Sequence, residues 1–400
     1  MTKTTGAPVL STRALNRATL DRQLLLRRAP VGEVSVSDAV ERLIGLQAQE
    51  VKPPYFALAA RLEGFAPEAL SGLIERRELV RIVTLRSTIH LHTAADALGV
   101  RPLVQVARRR ELNAFRKGLV GVDLDELAVL ARALVEEEPR TMKQLRAELS
   151  QKWPDGDPQS LAVAARCLLP LVQVTPRGLW RRSGQVALTT VEKWVGRGVV
   201  VGDADASGLA DLPGLADLSG LGGLPGLDDL VLRYLRAFGP ASVKDFQTWA
   251  GLTRTRDAFE RLRPGLRTFR SEAGVELFDL ADAPLPDEDT SAPVRFLPEF
   301  DNLLLSHADR TRVIPAAHWG RSWKGNIAYR TFLVDGFLAG VWALDEGRDG
   351  RDGGDVLTVQ PFGALSRAQR GEVQAEAART LDVLGASSSY DIRFGTVIPG

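Results

Sequence analysis

Apolar positions recur at helical spacing and then give way to strand-like alternation, three times in succession along the chain. Residues 11–28 and 37–45 read as amphipathic helices, with Ser35 or Ser37 placed to cap the second. Pro67 opens a third short helix that ends near Arg77. The stretch 79–93 is rich in β-branched residues and partly alternates, which predicts strands. A second copy begins at Asp123, continues through a helix capped by Thr141, and then through one opened by Pro158 that runs into a strand. Residues 174–189 predict a hairpin with basic residues near its tip, the shape of a wing beside a DNA-reading helix. A third copy begins near Leu227, with a turn and cap over 239–242, two more helices, and a hairpin turning at Glu272-Ala273-Gly274.

Two stretches interrupt the pattern. Residues 201–229 repeat Gly, Leu, Pro and Asp, and read as a linker because Gly and Pro oppose a regular helix. Residues 281–293 separate the third copy from a remainder of different character. That remainder, 294–400, alternates as strands, with one helix over Leu365–Leu384. The predicted architecture is therefore α+β. It has winged helices over 8–120, 121–200 and 230–283, and a C-terminal antiparallel sheet or barrel with a covering helix over 294–400. Three helices closed by a hairpin form a DNA-binding module, so three copies imply a protein that surrounds a duplex.

Composition narrows the setting. Hydrophobic residues make up 44% and charged residues 25%, the mixture of an ordinary globular protein. A single cysteine, Cys167, leaves no intrachain disulfide framework and no cysteine-based zinc site. The first residues lack the apolar core of a signal peptide, and no stretch approaches the ~20 apolar residues that span a bilayer. The expectation is a cytoplasmic, nucleoid-associated protein. Net charge of +1 decides nothing, but its distribution is uneven. Residues 1–120 hold 19 Lys or Arg against 11 Asp or Glu, while 201–230 hold six Asp and no basic residue. The basic first third predicts either a phosphate-binding face or a solvated basic surface.

Familiar catalytic motifs are missing: there is no GxSxG elbow and no phosphate-binding GxxxxGK[ST] loop. His90 and His92 share a strand face, but no HExxH or Cys/His cluster accompanies them, so neither metal nor cofactor is expected.

The segment GLQAQEVKPPYFALAARLEGF (45–65), with LRSTIHLHTAADA (85–97) and FLPEFDNLLLSHADRTRVI (296–314), resembles the YcaQ/AlkZ type of winged-helix DNA glycosylases. In that family a Gln–apolar–Gln or Gln–apolar–Asp motif lies at the active centre. Here it reads Gln47-Ala48-Gln49, similar to the branch associated with bulky, toxic lesions and antibiotic self-resistance. The resemblance implies a monofunctional glycosylase with Gln47 and Gln49 as catalytic residues. Its substrate would be cationic N7-alkylated purines in double-stranded DNA, and it would act as a monomer.

Spacing i, i+2 puts both amides on one face only if the segment is extended, so the preceding helix should end near Gly45. Lys52 is the one amine beside the motif, and reads as a phosphate contact rather than a Schiff-base nucleophile. Arg86, Thr88 and His90 alternate along the first hairpin and, by the resemblance, border the site as DNA contacts. Asn302, Arg310 and Arg312 are further candidates for contact with the strand or lesion. The competing reading is a non-enzymatic winged-helix transcriptional regulator, which explains the modules but not the C-terminal sheet.

Overall fold

The structure, a computed structural model, describes residues 7–196, 226–325, 327–346, 354–385 and 390–398. The expected linker lies outside these residues up to position 225.

Helix α1 (Thr12–Arg22) starts at Ser11, whose hydroxyl accepts from the Ala14 amide. Helix α2 (Val36–Arg42) starts at Ser35, and Asp38 returns the bond to the Ser35 amide. A short extended strand, β1 (Leu46–Gln47), follows directly. Helix α3 (Pro53–Arg61) was not anticipated; its two leading prolines suit the first turn, where no amide is needed. Helix α4 (Pro67–Glu75) leads into the hairpin of β2 (Leu79–Val83) and β3 (Ile89–Thr93). Helices α5 (Ala94–Leu103) and α6 (Gln105–Ala114) were also missed from the sequence.

The second copy comprises α7 (Leu124–Glu137), α8 (Met142–Lys152) and α9 (Pro158–Leu168), capped by Asp123, Thr141 and Asp157. Its sheet strands are β4 (Arg140–Thr141), β5 (Leu171–Gln173) and β6 (Ala187–Thr190), followed by the short α10 (Val191–Val195). Arg81 pairs with Gln173 and Ile82 with Val172, so the first two copies share one six-stranded sheet in the order β1-β3-β2-β5-β6-β4. The hairpin expected over 174–189 is not a free wing. Its connecting segment folds back on α3: Tyr55 donates to the Gly178 carbonyl at 2.8 Å and its ring lies 4.8 Å from that of Trp180.

The third copy is α11 (Leu227–Phe238), α12 (Val243–Ala250), α13 (Arg256–Leu262) and the hairpin of β7 (Leu266–Ser271) and β8 (Glu276–Leu280). In the remainder, β9 (Arg295–Leu297), β10 (Arg330–Val334), β11 (Phe337–Asp345), β12 (Asp355–Pro361) and β13 (Tyr390–Phe394) form an open sheet in chain order. It is antiparallel except for β12 and β13, which run parallel, because the covering helix, Arg367–Val383, crosses between them. Residues 302–305, expected as strand, are instead the one-turn helix α14 (Asn302–Leu305), started by Asp301. The overall class is α+β, as expected.

Packing ties these parts together. One apolar cluster runs through α2, α3, α11, α12 and the C-terminal sheet, while α7, α8 and α9 hold a cluster of their own. Buried ion pairs join distant segments: Arg22 with Asp279, and Arg61 with Asp301. Removing one partner of such a pair costs about 3–5 kcal/mol, since the other charge stays buried. Much of the basic excess in the first third is therefore internal. Arg17, Arg22, Arg61, Arg81, Arg101 and Arg108 are all buried, which corrects the expectation of a phosphate-binding face made by that whole segment.

Candidate active site

The chain leaves α2 through a tight turn. Ile44 and Gly45 both take positive φ, 53° and 88°. A Cβ on Gly45 would stand 2.5 Å from the His92 ring, so this position demands glycine on two counts. The turn delivers β1, where Leu46 pairs with Leu91 and Gln47 with His90. The Ala48 amide donates to the Ile89 carbonyl at 2.8 Å, so the motif is extended, as its spacing required. Gln47 is buried and Gln49 exposed.

Three side chains fix this segment. Asn302 donates its amide to the carbonyls of Gly45 (2.9 Å) and Leu43 (3.3 Å), just before the motif. Arg81 donates to the carbonyls of Ala48 (2.7 Å) and Glu50 (3.4 Å), on either side of Gln49. Arg86 donates to the Gln47 side-chain oxygen at 3.0 Å. The Gln49 side-chain oxygen accepts from the Ile89 amide at 3.3 Å. Both glutamine oxygens thus have a donor that sets the amide orientation, and each keeps a second lone pair.

Arg86 does not lie on a strand with Thr88 and His90, as alternation suggested. It sits in the hairpin's tip, a turn over Leu85–Ser87, at φ 52°. Its guanidinium points inward: besides Gln47 it donates to the Trp249 carbonyl, and to His90 Nε2 at 3.3 Å. Gly251, also at positive φ, lets the end of α12 close on Arg86; a Cβ there would be 3.0 Å from the arginine backbone. His90 is 1% exposed. Its Nδ1 meets the Thr88 carbonyl at 3.1 Å, which assigns the proton to Nδ1 and leaves Nε2 to accept from Arg86. Burial, and then the neighbouring Arg86, push its pKa well down, so the ring is neutral. Burial likewise lowers His92 to about 4, and Arg81 and Arg86 to about 10 each, so both arginines stay charged at neutral pH.

Six of the seven residues expected to contact DNA are engaged within the protein. Arg86 bonds the Gln47 side chain, and His90 bonds Arg86. Thr88 uses its hydroxyl on the Leu85 carbonyl at 3.1 Å. Asn302 is buried and spent on the turn before the motif. Arg312 is buried on the Pro240 carbonyl at 2.9 Å. Lys52 is ion-paired with Glu346 at the end of β11. Arg310 alone of the seven has an unengaged side chain: half-buried, it makes no hydrogen bond or ion pair among the described residues. Sequence reasoning did not reach Arg81 or the Trp249 carbonyl. An arginine in an alternating strand carries no sign that it clamps a loop from another element.

A family model described as DNA glycosylase AlkZ-like matches residues 40–383, which include the motif and every residue that holds it. Among solved structures, the Streptomyces sahachiroi DNA glycosylase AlkZ is similar in fold, with a TM-score of 0.72 at 21% identity, covering 97% of this chain and 100% of that one. No curated protein matches the sequence significantly.

Proposed function

The chain belongs to the AlkZ-like DNA glycosylases, and from that premise we propose that Gln47 and Gln49 carry the excision of cationic N7-alkylated purines from double-stranded DNA. The observation that carries this reading is the extended motif, held at both ends and along the Gln47 side chain by Asn302, Arg81 and Arg86. Rigid placement of polar groups before reaction is what stabilises a developing charge.

Alkylation at N7 makes the purine a cation and a good leaving group. The C1′–N9 bond breaks, its electron pair passes to the ring and cancels that charge, and C1′ becomes oxocarbenium-like. Water adds to C1′ and gives its proton to solvent. The free lone pairs of the two amide oxygens hold that water and face the developing positive charge. Neither amide acts as a base, so the reaction relies on an activated, cationic base. The product is an intact strand with an abasic site. In the wider reading, bulky adducts and crosslinks made by genotoxic natural products are substrates, in the setting of antibiotic self-resistance.

The three helical groups with their hairpins, 8–120, 121–200 and 230–283, are read as winged helices around the duplex, with 294–400 as a further domain. The enzyme acts as a monomer and without a cofactor. Among the described residues no helix is long and apolar enough to cross a membrane. The test is excision from a duplex with a single N7-methylguanine by wild type and by Gln47→Ala and Gln49→Ala variants. A non-enzymatic regulator would leave that base in place.

A further inference from the structure

We propose that Arg310 anchors one phosphate of the lesion-bearing strand, beside the point where Arg86 holds Gln47. This rests on the motif being the active centre. Arg310 is a half-buried cation without a carboxylate partner among the described residues. Two acids that bond the loop around Arg310 are already committed. Asp309 accepts from the Thr311 amide at 3.0 Å and its hydroxyl at 2.8 Å. Asp245 accepts from the Ala308 amide at 2.8 Å and the Asp309 amide at 3.4 Å. The charged group Arg310 does act on is Arg86, another cation, whose pKa it helps to depress.

A half-buried arginine with no acid partner among the described residues, on a loop bonded to the same helix that holds Arg86, is a positive charge without compensation. A phosphodiester is the group in duplex DNA that neutralises it, by charge-assisted hydrogen bonds.

The placement is rigid. The Arg310 carbonyl accepts from the amides of Val313 (2.9 Å) and Ile314 (2.8 Å), which closes the turn that bears it. Helix α12 holds both arginines: Asp245 in its first turn pins the loop before Arg310, and the Trp249 carbonyl in its last turn takes Arg86. The backbone that bears Arg310 is thereby tied to the same helix that holds Arg86, the donor to Gln47. Because the Arg310 side chain makes no hydrogen bond or ion pair among the described residues, replacing it leaves no described partner unsatisfied.

The test is a phosphate scan by binding. The full chain is titrated with duplexes carrying a tetrahydrofuran abasic analogue, with one phosphate at a time replaced by a neutral methylphosphonate. Wild type is expected to lose about tenfold in affinity at one position near the analogue. Arg310→Ala loses nothing further at that position and keeps the wild-type losses elsewhere. Its slope of log K against log salt is shallower by about 1, and Arg310→Lys recovers part of the affinity. Equal losses in wild type and Arg310→Ala at every position, or a wild-type salt slope in Arg310→Ala, would overturn the assignment. The duplex has no base to remove, so this result is independent of whether Gln47 and Gln49 catalyse excision.

Discussion

Arg86, at the tip of the first hairpin, donates to the Gln47 side-chain oxygen at 3.0 Å while another of its nitrogens is held by the Trp249 carbonyl. The hairpin tip, the motif and the end of α12 thus meet at one guanidinium. A lysine has one nitrogen and cannot span the three acceptors. Arg86→Lys is expected to slow single-turnover excision by about 10–100-fold, the equivalent of one or two charge-assisted hydrogen bonds, with Kd little changed. If kcat and Kd for damaged DNA both stay at wild-type values, Arg86 does not position Gln47.

Asn302 bonds the turn before the motif. In Asn302→Ala the carbonyls of Leu43 and Gly45 lose their donor in a buried place. The expected cost is about 1–3 kcal/mol of stability, read as a lower urea midpoint, with excision falling as the motif loosens. Weaker binding of undamaged duplex at unchanged stability would instead return Asn302 to the DNA contacts.

The buried histidines set an acid limit on the fold. His92 titrates near 4 in the native state, below the usual 6.5, because burial disfavours its charged form. The unfolded chain therefore takes up the proton first. Stability is fully present above about pH 6.5 and is lost as pH falls toward 4, by up to about 3 kcal/mol from His92 alone. Excision by the amide pair, which does not titrate, should be flat between pH 7 and 9. Urea midpoints that stay constant from pH 7 to 5 would contradict the first expectation, and a steep rise of excision rate above pH 7 the second.

Lys52 is paired with Glu346, and this bears on mechanism. Lys52→Ala should leave the rate of base release within about twofold, with an abasic product cleaved only by heat or alkali. Borohydride trapping of a covalent complex that vanishes in Lys52→Ala would show an amine nucleophile and replace water in the scheme.

The sequence made the local order readable wherever caps and periodicity agree: Ser35, Thr141 and Pro158 each begin a helix in the structure. The extended motif after Gly45 was legible too, since i, i+2 spacing has meaning only in a strand. Long-range structure was not. Alternation placed Arg86, Thr88 and His90 on one strand face, but the tip turns at Arg86 and its guanidinium bonds Gln47 and the Trp249 carbonyl. Polar residues looked like DNA contacts because burial of Asn302 and Arg312 depends on segments more than 200 positions away, including Gly45 and Thr19. The parallel last strand and the folded-back 174–189 segment are likewise tertiary outcomes that no local pattern signals.

The central claim is that Gln47 and Gln49 perform the chemistry. The most direct measurement is single-turnover release of N7-methylguanine by Gln47→Ala, Gln49→Ala and the double variant, with Kd for the same duplex measured alongside. The account predicts a loss of about 100-fold or more in the double variant, with Kd within a few fold of wild type. Excision at the wild-type rate by the double variant would contradict it.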